Sequence, residues 1–352
     1  MLTCVKTAIA KTDMVDLPTP KAGPGEIVVK MAMCTVCGSD MHWVDEIPNE
    51  VLAALAPGFL TPQGFPMGHE AVGTVHEVGP GVTRVQVGDR VISSCLTGCG
   101  HCAHCLRGDF SVCAGGGRSL FGCQSEYFVV PFADVNVAKV PPEVSDENAV
   151  LATDIMSTGF GAIDRTDLKF GDSVAIFAQG PVGLCATAGA RARGAGMIIT
   201  VESVPERIEM SKRLGANIVI NPKEKDPVSE ILTLTNMEGV DVAVEAVGTP
   251  ATFDGVTRAV RRGGTASFVG LYGTVPQVSM FTMTHSFYHR RMVSTLCPSG
   301  HDRMSHLLNL LRWGKMDLGP LFTHRMKLAD APKAYDLFRS KQGGVLKIAI
   351  TP

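Results

Sequence analysis

Between about residues 18 and 132 the chain is interrupted every few positions by Gly or Pro, and the stretches between are short apolar or alternating runs such as Glu26-Ile-Val-Val-Lys30 and Ala71-Val-Gly-Thr-Val-His-Glu-Val78. A period near two, bounded by turn residues, predicts many short strands. From Asp172 the pattern changes. Apolar, β-branched runs at 173–177, 197–201, 217–220, 240–247 and 265–269 alternate with segments of helical period at 205–214 and 250–260. Strands buried on both faces read as unbroken apolar runs, so this alternation predicts an α/β unit with a doubly wound parallel sheet covered by helices on both sides. After residue 297 come two predicted helices, 301–313 and 329–340, and a closing strand, 344–350, which is expected to return to the first, β-rich part. The expected division is therefore 1–156 with 298–352 as one domain and 157–297 as the other. The segment 44–66 is a long loop rich in Pro and Ala with a short helix, and long loops in compact domains are often functional.

Composition narrows the class. The chain has 352 residues, 45% hydrophobic and 19% charged, enough apolar material for two ordinary domains. A formal net charge of -2, with no dense Lys/Arg block, supplies no field for nucleic acid or anionic lipid, so neither is expected as a partner. The first residues lack the apolar core of a signal peptide and no apolar stretch reaches membrane-spanning length, which makes a cytoplasmic location the expectation. In that reducing compartment, 11 cysteines point to metal or catalysis more than to disulfides.

Cys99, Cys102, Cys105 and Cys113 fall in Cys-Gly-His-Cys-Ala-His-Cys-Leu-Arg-Gly-Asp-Phe-Ser-Val-Cys. Two residues between successive thiols let a loop fold around a tetrahedral zinc ion, and a closed shell of four thiolates leaves no position for substrate. The expected role is to hold a lobe together. Two disulfides or an iron–sulfur cluster are the competing uses of these residues. His101 and His104 are rival ligands, and Cys95 is read as a bystander.

A second set is dispersed: Cys37 in Cys37-Gly-Ser-Asp-Met-His42, His69 and Glu70 in Gly-His-Glu, and Asp154 before a helical run. Singly, each has a plain reading, as a small buried hydrophobe, a satisfied core histidine or a helix N-cap. The run 173–177 leads into Ala178-Gln-Gly-Pro-Val-Gly183 and a helix, where glycines let backbone N–H groups approach a pyrophosphate. Ala178 stands where the dinucleotide fingerprint has its first glycine, and its methyl is expected to shift the turn. The next strand ends at Glu202, in position to accept from an adenosine ribose.

With Gly68-His-Glu-Ala-Val-Gly-Thr-Val-His-Glu-Val-Gly79, Val87-Gly-Asp-Arg-Val91, the cysteine lobe, Gly180-Pro-Val-Gly183 and Arg262-Gly-Gly264, the chain resembles the zinc-containing medium-chain alcohol dehydrogenases over essentially its whole length. Asp154-Ile-Met-Ser-Thr-Gly-Phe160 and Thr295-Leu-Cys-Pro-Ser-Gly300 are most similar to the tetrameric bacterial secondary-alcohol dehydrogenases. The resemblance implies a GroES-like β-rich catalytic domain and a Rossmann domain, two zinc ions per subunit, NAD, and a homo-oligomer, tetramer or dimer. Its substrate would be a small alcohol, aldehyde or ketone. It implies that Cys37, His69 and Asp154 hold the catalytic zinc, with Asp154 where many relatives have cysteine, and that Glu70 visits the metal when substrate is absent. Zinc so held acidifies a bound alcohol, and hydride passes to the nicotinamide. Ser39 and His42 match the family's proton relay. Gly180, Pro181, Val182, Gly183, Glu202, Arg207, Val247 and Leu271 fall to the cofactor, with Glu202 favouring NAD over NADP. Trp43, Leu271 and Tyr272 are pocket candidates. Polyol, amino-alcohol and glutathione-linked aldehyde dehydrogenases share these motifs and form the alternative. A family member that lost its chemistry is opposed by the joint presence of Cys37, Ser39, His42, His69 and Asp154, and a zinc-ribbon nucleic-acid binder by the missing basic face.

Overall fold

The computed structural model describes residues 1–56, 58–272, 288–314, 316–341 and 343–352. The chain divides into two compact units, Met1–Ser157 with Cys297–Pro352, and Thr158–Leu296.

The first unit is built on strand Ile27–Val36, whose sequence, IVVKMAMCTV, is apolar enough to bury both faces. It sits inside a seven-stranded sheet in the order Phe322–Lys327, Lys347–Thr351, Ile27–Val36, Ala71–Val78, Arg90–Ser93, Val137–Lys139, with Tyr127–Val130 also pairing to Ile27–Val36. The closing strand Lys347–Thr351 is antiparallel to Ile27–Val36, with Ile348 opposite Val36 and Ile350 opposite Cys34. Ile27, Val29, Met31, Ala71, Val75, Tyr335, Ile348 and Ile350 share one buried cluster, so the two ends of the sequence form a single core. A smaller three-stranded sheet, Lys11–Asp16, Leu2–Ala8 and Phe65–Pro66, lies in the same unit. Its Lys6 is buried, and the ammonium donates to the carbonyls of Trp43 (2.8 Å) and Ile47. A cation there satisfies the carbonyl end of helix Gly38–Asp45 and pins the start of the 44–66 loop, which contains helix Asn49–Leu55.

The second unit is a six-stranded sheet in the order Ile218–Ile220, Met197–Val201, Ser173–Phe177, Val240–Glu245, Val260–Phe268, Arg291–Ser294, and every pair is parallel. Ala175, Phe177, Ile199, Val201 and Ala243 belong to one buried cluster, while Val174, Ile176, Ile198, Val242 and Val244 belong to another. Successive residues of each strand thus feed opposite faces, as a sheet covered on both sides requires. Strand order reverses between Ser173–Phe177 and Val240–Glu245, which opens a crevice at their carboxyl ends. The helices take the stops and starts their sequences offer: Pro205–Leu214 begins on proline and is followed by Gly215 at φ +126°, and Pro227–Leu234 is capped by Asp226, which accepts from the Ser229 N–H.

Several boundaries differ from the sequence reading, among them the closing strand, which runs Lys347–Thr351 rather than 344–350. The strand expected to reach residue 247 stops at Glu245, because its carboxylate takes the N–H groups of Val247 and Gly248 out of the ladder. The next strand starts at Val260 rather than 265, with a register shift that absorbs the extra residues. The last helix starts at Ala331, since Leu328–Asp330 form a tighter 3-10 turn.

Because the closing strand completes the core of the first unit, Ile348→Ala is expected to cost about 2–5 kcal/mol in urea unfolding, whereas truncation of the exposed Val87 to Ala stays within about 0.5 kcal/mol. Equal effects at the two positions would contradict this account of the core.

Candidate metal and cofactor sites

Cys37 directly follows the central strand of the first unit and is the N-cap of helix Gly38–Asp45, where its own N–H donates to Asp40 Oδ2 at 2.9 Å. His69 and Glu70 come from the turn before strand Ala71–Val78, and Asp154 from the turn before helix Ile155–Asp164. These segments bring the three dispersed residues together. Asp154 Oδ2 lies 3.2 Å from His69 Nε2 and 3.7 Å from Cys37 Sγ, and Ser39 Oγ lies 3.2 Å from the same His69 nitrogen. Ligand atoms of Cys37, His69 and Glu70 also lie within 4.8 Å of one another.

The surroundings prepare these groups for a cation. His69 Nδ1 is 2.9 Å from the buried Asp40 Oδ1, which fixes the ring and turns Nε2 toward Cys37 and Asp154. Burial pushes the Cys37 thiol up, and the Glu70 charge pushes it further. Burial alone would lower the His69 pKa, but Asp40 and Asp154 outweigh it and hold the imidazole well above its ordinary value. An excess of negative donors therefore surrounds this point. Glu70 Oε1 is buried with no hydrogen-bond partner among the described residues. An imidazole, a thiol and carboxylates converging in this way fit a divalent zinc ion.

Glu70 Oε2 accepts from the Thr35 hydroxyl and from the Lys347 ammonium, both in contact with it. Lys347 and Glu70 are each 1% exposed. Burial lowers the lysine pKa, yet Glu70, Cys37 and Asp154 more than reverse this, so the ammonium stays charged. Sequence reasoning missed Asp40, Thr35 and Lys347. Asp40 stood inside the Cys37–His42 motif, and Lys347 is a lone charge in the apolar run Val345-Leu-Lys-Ile-Ala-Ile350, which is the signal that could have flagged it. His42 does not join this group: it faces Glu46 one helical turn on, Nδ1 to Oε1 2.9 Å, and is partly exposed.

In the cysteine lobe, Sγ of Cys99 and Cys105 are 4.0 Å apart and those of Cys102 and Cys113 3.8 Å, with all four within 4.8 Å of one another. Zn–S bonds of about 2.3 Å in a tetrahedron imply sulfur separations of about 3.8 Å, and all four thiols are free, so the set fits zinc and contains no disulfide. Backbone N–H groups of Cys99 and Gly115 donate to Cys113 Sγ, and that of Cys102 to Cys99 Sγ, each at 3.3 Å. N–H groups of Cys105 and Ala114 hold the Cys102 pKa down at about 5, while burial pushes Cys105 up to about 12. The rival histidines look elsewhere, His101 to the Cys99 carbonyl and His104 to Arg107. Cys95 is 3.3 Å from Cys297, away from the lobe's four sulfurs.

In the second unit, Gly180 caps helix Pro181–Ala192, and a side chain built there would meet nothing within 4 Å, so the helix N-terminus opens onto free space. The N–H groups of Val182 and Gly183 belong to that first turn, which has no intrahelical acceptors. A Cβ at Gly183 would come 2.1 Å from the Ala178 carbonyl, hence glycine at that position. Ala178 itself takes φ +73°, so the turn keeps its left-handed form with a methyl in place of the missing glycine, anchored by the Ala178 N–H to Val201 O bond of 2.9 Å. Glu202 is 7% exposed. Its Oε2 accepts from Gln179 N–H (2.9 Å) and its Oε1 from Ser203 (2.7 Å) and Val204 (3.0 Å), with Arg207 at 3.9 Å. Beside it is a cleft of about 340 Å³ bounded by Phe177, Ala178, Glu202, Asp226, Thr252 and Arg258. Cleft, open helix end and strand crossover together fit a dinucleotide. Val247 and Leu271 are exposed at the ends of the next two strands. Of the pocket candidates, Trp43 packs edge-on against Phe121 at 5.7 Å, and Tyr272 donates its hydroxyl to Glu245 at 3.0 Å.

Residues 23–142 match the alcohol dehydrogenase GroES-like domain, and residues 181–313 match the zinc-binding dehydrogenase family. An alcohol dehydrogenase of Cupriavidus necator is 36% identical over 97% of this chain and 96% of its own length. The NADP-dependent isopropanol dehydrogenase of Thermoanaerobacter brockii is 33% identical over 97% and 96%. The solved structure of the alcohol dehydrogenase TADH from Thermus sp. ATN1 aligns at a TM-score of 0.89 with 32% identity, covering 100% of this chain and 99% of that one. The fold and its donor clusters thus define a zinc-binding, nucleotide-linked dehydrogenase. The chain belongs to the zinc-dependent medium-chain alcohol dehydrogenase family, an oxidoreductase with zinc and a nicotinamide cofactor acting on small alcohols or aldehydes. No helix among the described residues is long and apolar enough to cross a membrane.

Lys347→Met leaves Glu70 buried without its cation and is expected to destabilise the protein by about 3–5 kcal/mol in denaturant unfolding. Lys347→Met with Glu70→Gln should recover most of that loss. Because the lysine pKa is raised on folding, the pair's stabilisation is complete below the lysine's unfolded pKa and fades only in strong alkali, so the loss should be the same at pH 6 and pH 8.

Proposed function

We propose that the chain is an NAD-linked dehydrogenase of small primary or secondary alcohols, working in reverse on aldehydes or ketones, with one catalytic and one structural zinc per subunit. The convergence of Cys37, His69 and Asp154 carries this reading. We assign residues 1–156 and 298–352 to catalysis and 157–297 to the cofactor, and we expect a cytoplasmic homo-oligomer, tetramer or dimer. Cys37, His69 and Asp154 would hold the catalytic ion, and Cys99, Cys102, Cys105 and Cys113 the structural one. When bound, the catalytic zinc would supply acidity to an alcohol hydroxyl, and the nicotinamide would supply the acceptor for hydride from the alcohol carbon.

The chain's own groups carry the rest. Asp40 orients the His69 ring, and Lys347 with Thr35 keeps Glu70 beside the ligands with one oxygen available. Ser39, on the helix that opens at Cys37, is the group adjacent to His69 that can take a proton from a substrate hydroxyl. His42 is partly exposed on the same helix, which suits the outer end of such a relay. Gly180, Pro181, Val182 and Gly183 would receive the pyrophosphate, and Val247 and Leu271 the nicotinamide end.

Two outcomes test the metal assignment. Elemental analysis should find two zinc ions per chain, with His69→Ala or Asp154→Ala losing one ion and nearly all turnover while keeping dinucleotide affinity. Cys102→Ser should lose the other ion and lower Tm. Near-normal rates in the first pair, or one ion in the parent, refute it.

Preference for NAD rests on Glu202. An NADP phosphate of about -2 charge would meet this carboxylate without a compensating cation at Val204. The carboxylate is held by two N–H groups of its own turn and by that of Gln179 in the 178–183 turn, so its charge cannot swing away, and Arg207 at 3.9 Å is already drawn to it. The parent is expected to show the higher kcat/KM with NAD, and Glu202→Gly with Val204→Arg should weaken or reverse this. A parent that favours NADP removes Glu202 from this role.

A further inference from the structure

A second buried acid, Glu245, sits at the carboxyl edge of the parallel sheet with no part in the metal sites. It ends strand Val240–Glu245 and is 0% exposed. Oε1 accepts from the N–H groups of Val247 and Gly248, both at 2.8 Å, and from the Thr252 hydroxyl at 2.6 Å, while Oε2 accepts from the Tyr272 hydroxyl at 3.0 Å. All four partners donate. None of the ion pairs among the described residues includes Glu245, and among those residues its charge meets these four donors and the N-terminus of helix Pro250–Ala259, on which Thr252 stands.

The acid gathers two loops into one shelf. Gly248 has φ +93°, and a Cβ there would come 2.0 Å from the Leu271 carbonyl. A Cβ on Gly270 would come 2.2 Å from Gly248 N and 2.3 Å from Glu245 Oε2. The backbones of 246–249 and 269–272 are therefore in direct contact above the carboxylate. From this shelf Val247 and Leu271 project, 42% and 51% exposed despite being large and apolar.

A dinucleotide spans the crevice where strand order reverses, one half on each side. The cleft beside Glu202 takes the adenosine half, on the side of Met197–Val201. The other half then falls over the ends of Val240–Glu245 and Val260–Phe268, at the Val247 and Leu271 shelf. The nicotinamide ring carries a positive charge when oxidised and none when reduced. A fixed negative charge buried beneath an apolar shelf stabilises the first form and not the second.

We propose that Glu245 is a positioning residue that clamps the nicotinamide shelf and, through its buried charge, biases the protein toward the oxidised cofactor. This rests on the dinucleotide reading above. Dissociation constants of oxidised and reduced NAD are measured without substrate, by calorimetry and by cofactor fluorescence. Glu245→Gln should raise the oxidised-to-reduced ratio of these constants by roughly tenfold, with the reduced-form constant moving less than threefold. Tyr272→Phe removes one donor and keeps the charge, so both constants should rise together and the ratio stay within twofold. An unchanged ratio in a folded Glu245→Gln protein overturns the electrostatic claim, as does a Tyr272→Phe ratio that moves like that of Glu245→Gln. Should Glu245→Gln fail to fold, Thr252→Val tests the clamp, since it loosens the shelf and should weaken both forms at least threefold; unaltered constants overturn it. A parent that binds neither form of NAD, nor of NADP, defeats the dinucleotide reading instead.

Discussion

Glu70 and Lys347 are charges removed from water, and each is tolerable in that interior only because the other is there. Their meeting requires the closing strand Lys347–Thr351 to lie against Ile27–Val36, the two partners standing 277 positions apart along the chain. Once that pairing exists, much else follows. Thr35, on the central strand, reaches the same carboxylate oxygen, and His69, the neighbour of Glu70, is delivered beside Cys37, which directly follows that strand. The proposed ligands Cys37 and His69 thus sit at the ends of two paired sheet strands, Ile27–Val36 and Ala71–Val78, which fits the need of a metal site for donors that hold their geometry without the ion.

Acids shape the rest of the molecule in a related way. Asp40 accepts the Cys37 N–H, Glu202 those of Gln179, Ser203 and Val204, and Glu245 those of Val247 and Gly248. Glu202 and Glu245 stand where a strand ends and backbone donors lose their ladder partners, and Asp40 stands in the first turn of the helix that follows one. A buried carboxylate offers several lone pairs at one point, so it can collect N–H groups from a turn that no side-chain hydroxyl could satisfy alone. The cost of burying the charge is offset by the donors, and in return the turn is held in one shape. In the parallel sheet the two such turns lie at the carboxyl edge where a dinucleotide is bound.

The cysteine lobe works by the opposite logic. It is held by local geometry, with spacing of two residues, N–H groups aimed at sulfur, and thiols whose acidity is split between Cys102, lowered by backbone N–H donors, and Cys105, raised by burial. Nothing distant is needed to assemble it, which is why its spacing was readable at once. The dispersed set was readable only through resemblance, because a lone Cys, His and Asp are each ambiguous by themselves.

The sequence by itself determined whatever depends on neighbours along the chain: the parallel-sheet alternation, the proline starts and glycine stops of its helices, the four-thiol lobe and the turn at Gly180 and Gly183. These are governed by backbone preferences and periodicity within a dozen residues. Only the tertiary structure decided that Lys347 would neutralise Glu70, that Asp40 would fix the His69 ring, that His42 would turn to Glu46, and that Tyr272 would donate to Glu245. The reason is physical. A buried charge chooses its partner by three-dimensional proximity and by the cost of leaving either group alone, and no local period in the sequence records which distant strand will bring that partner.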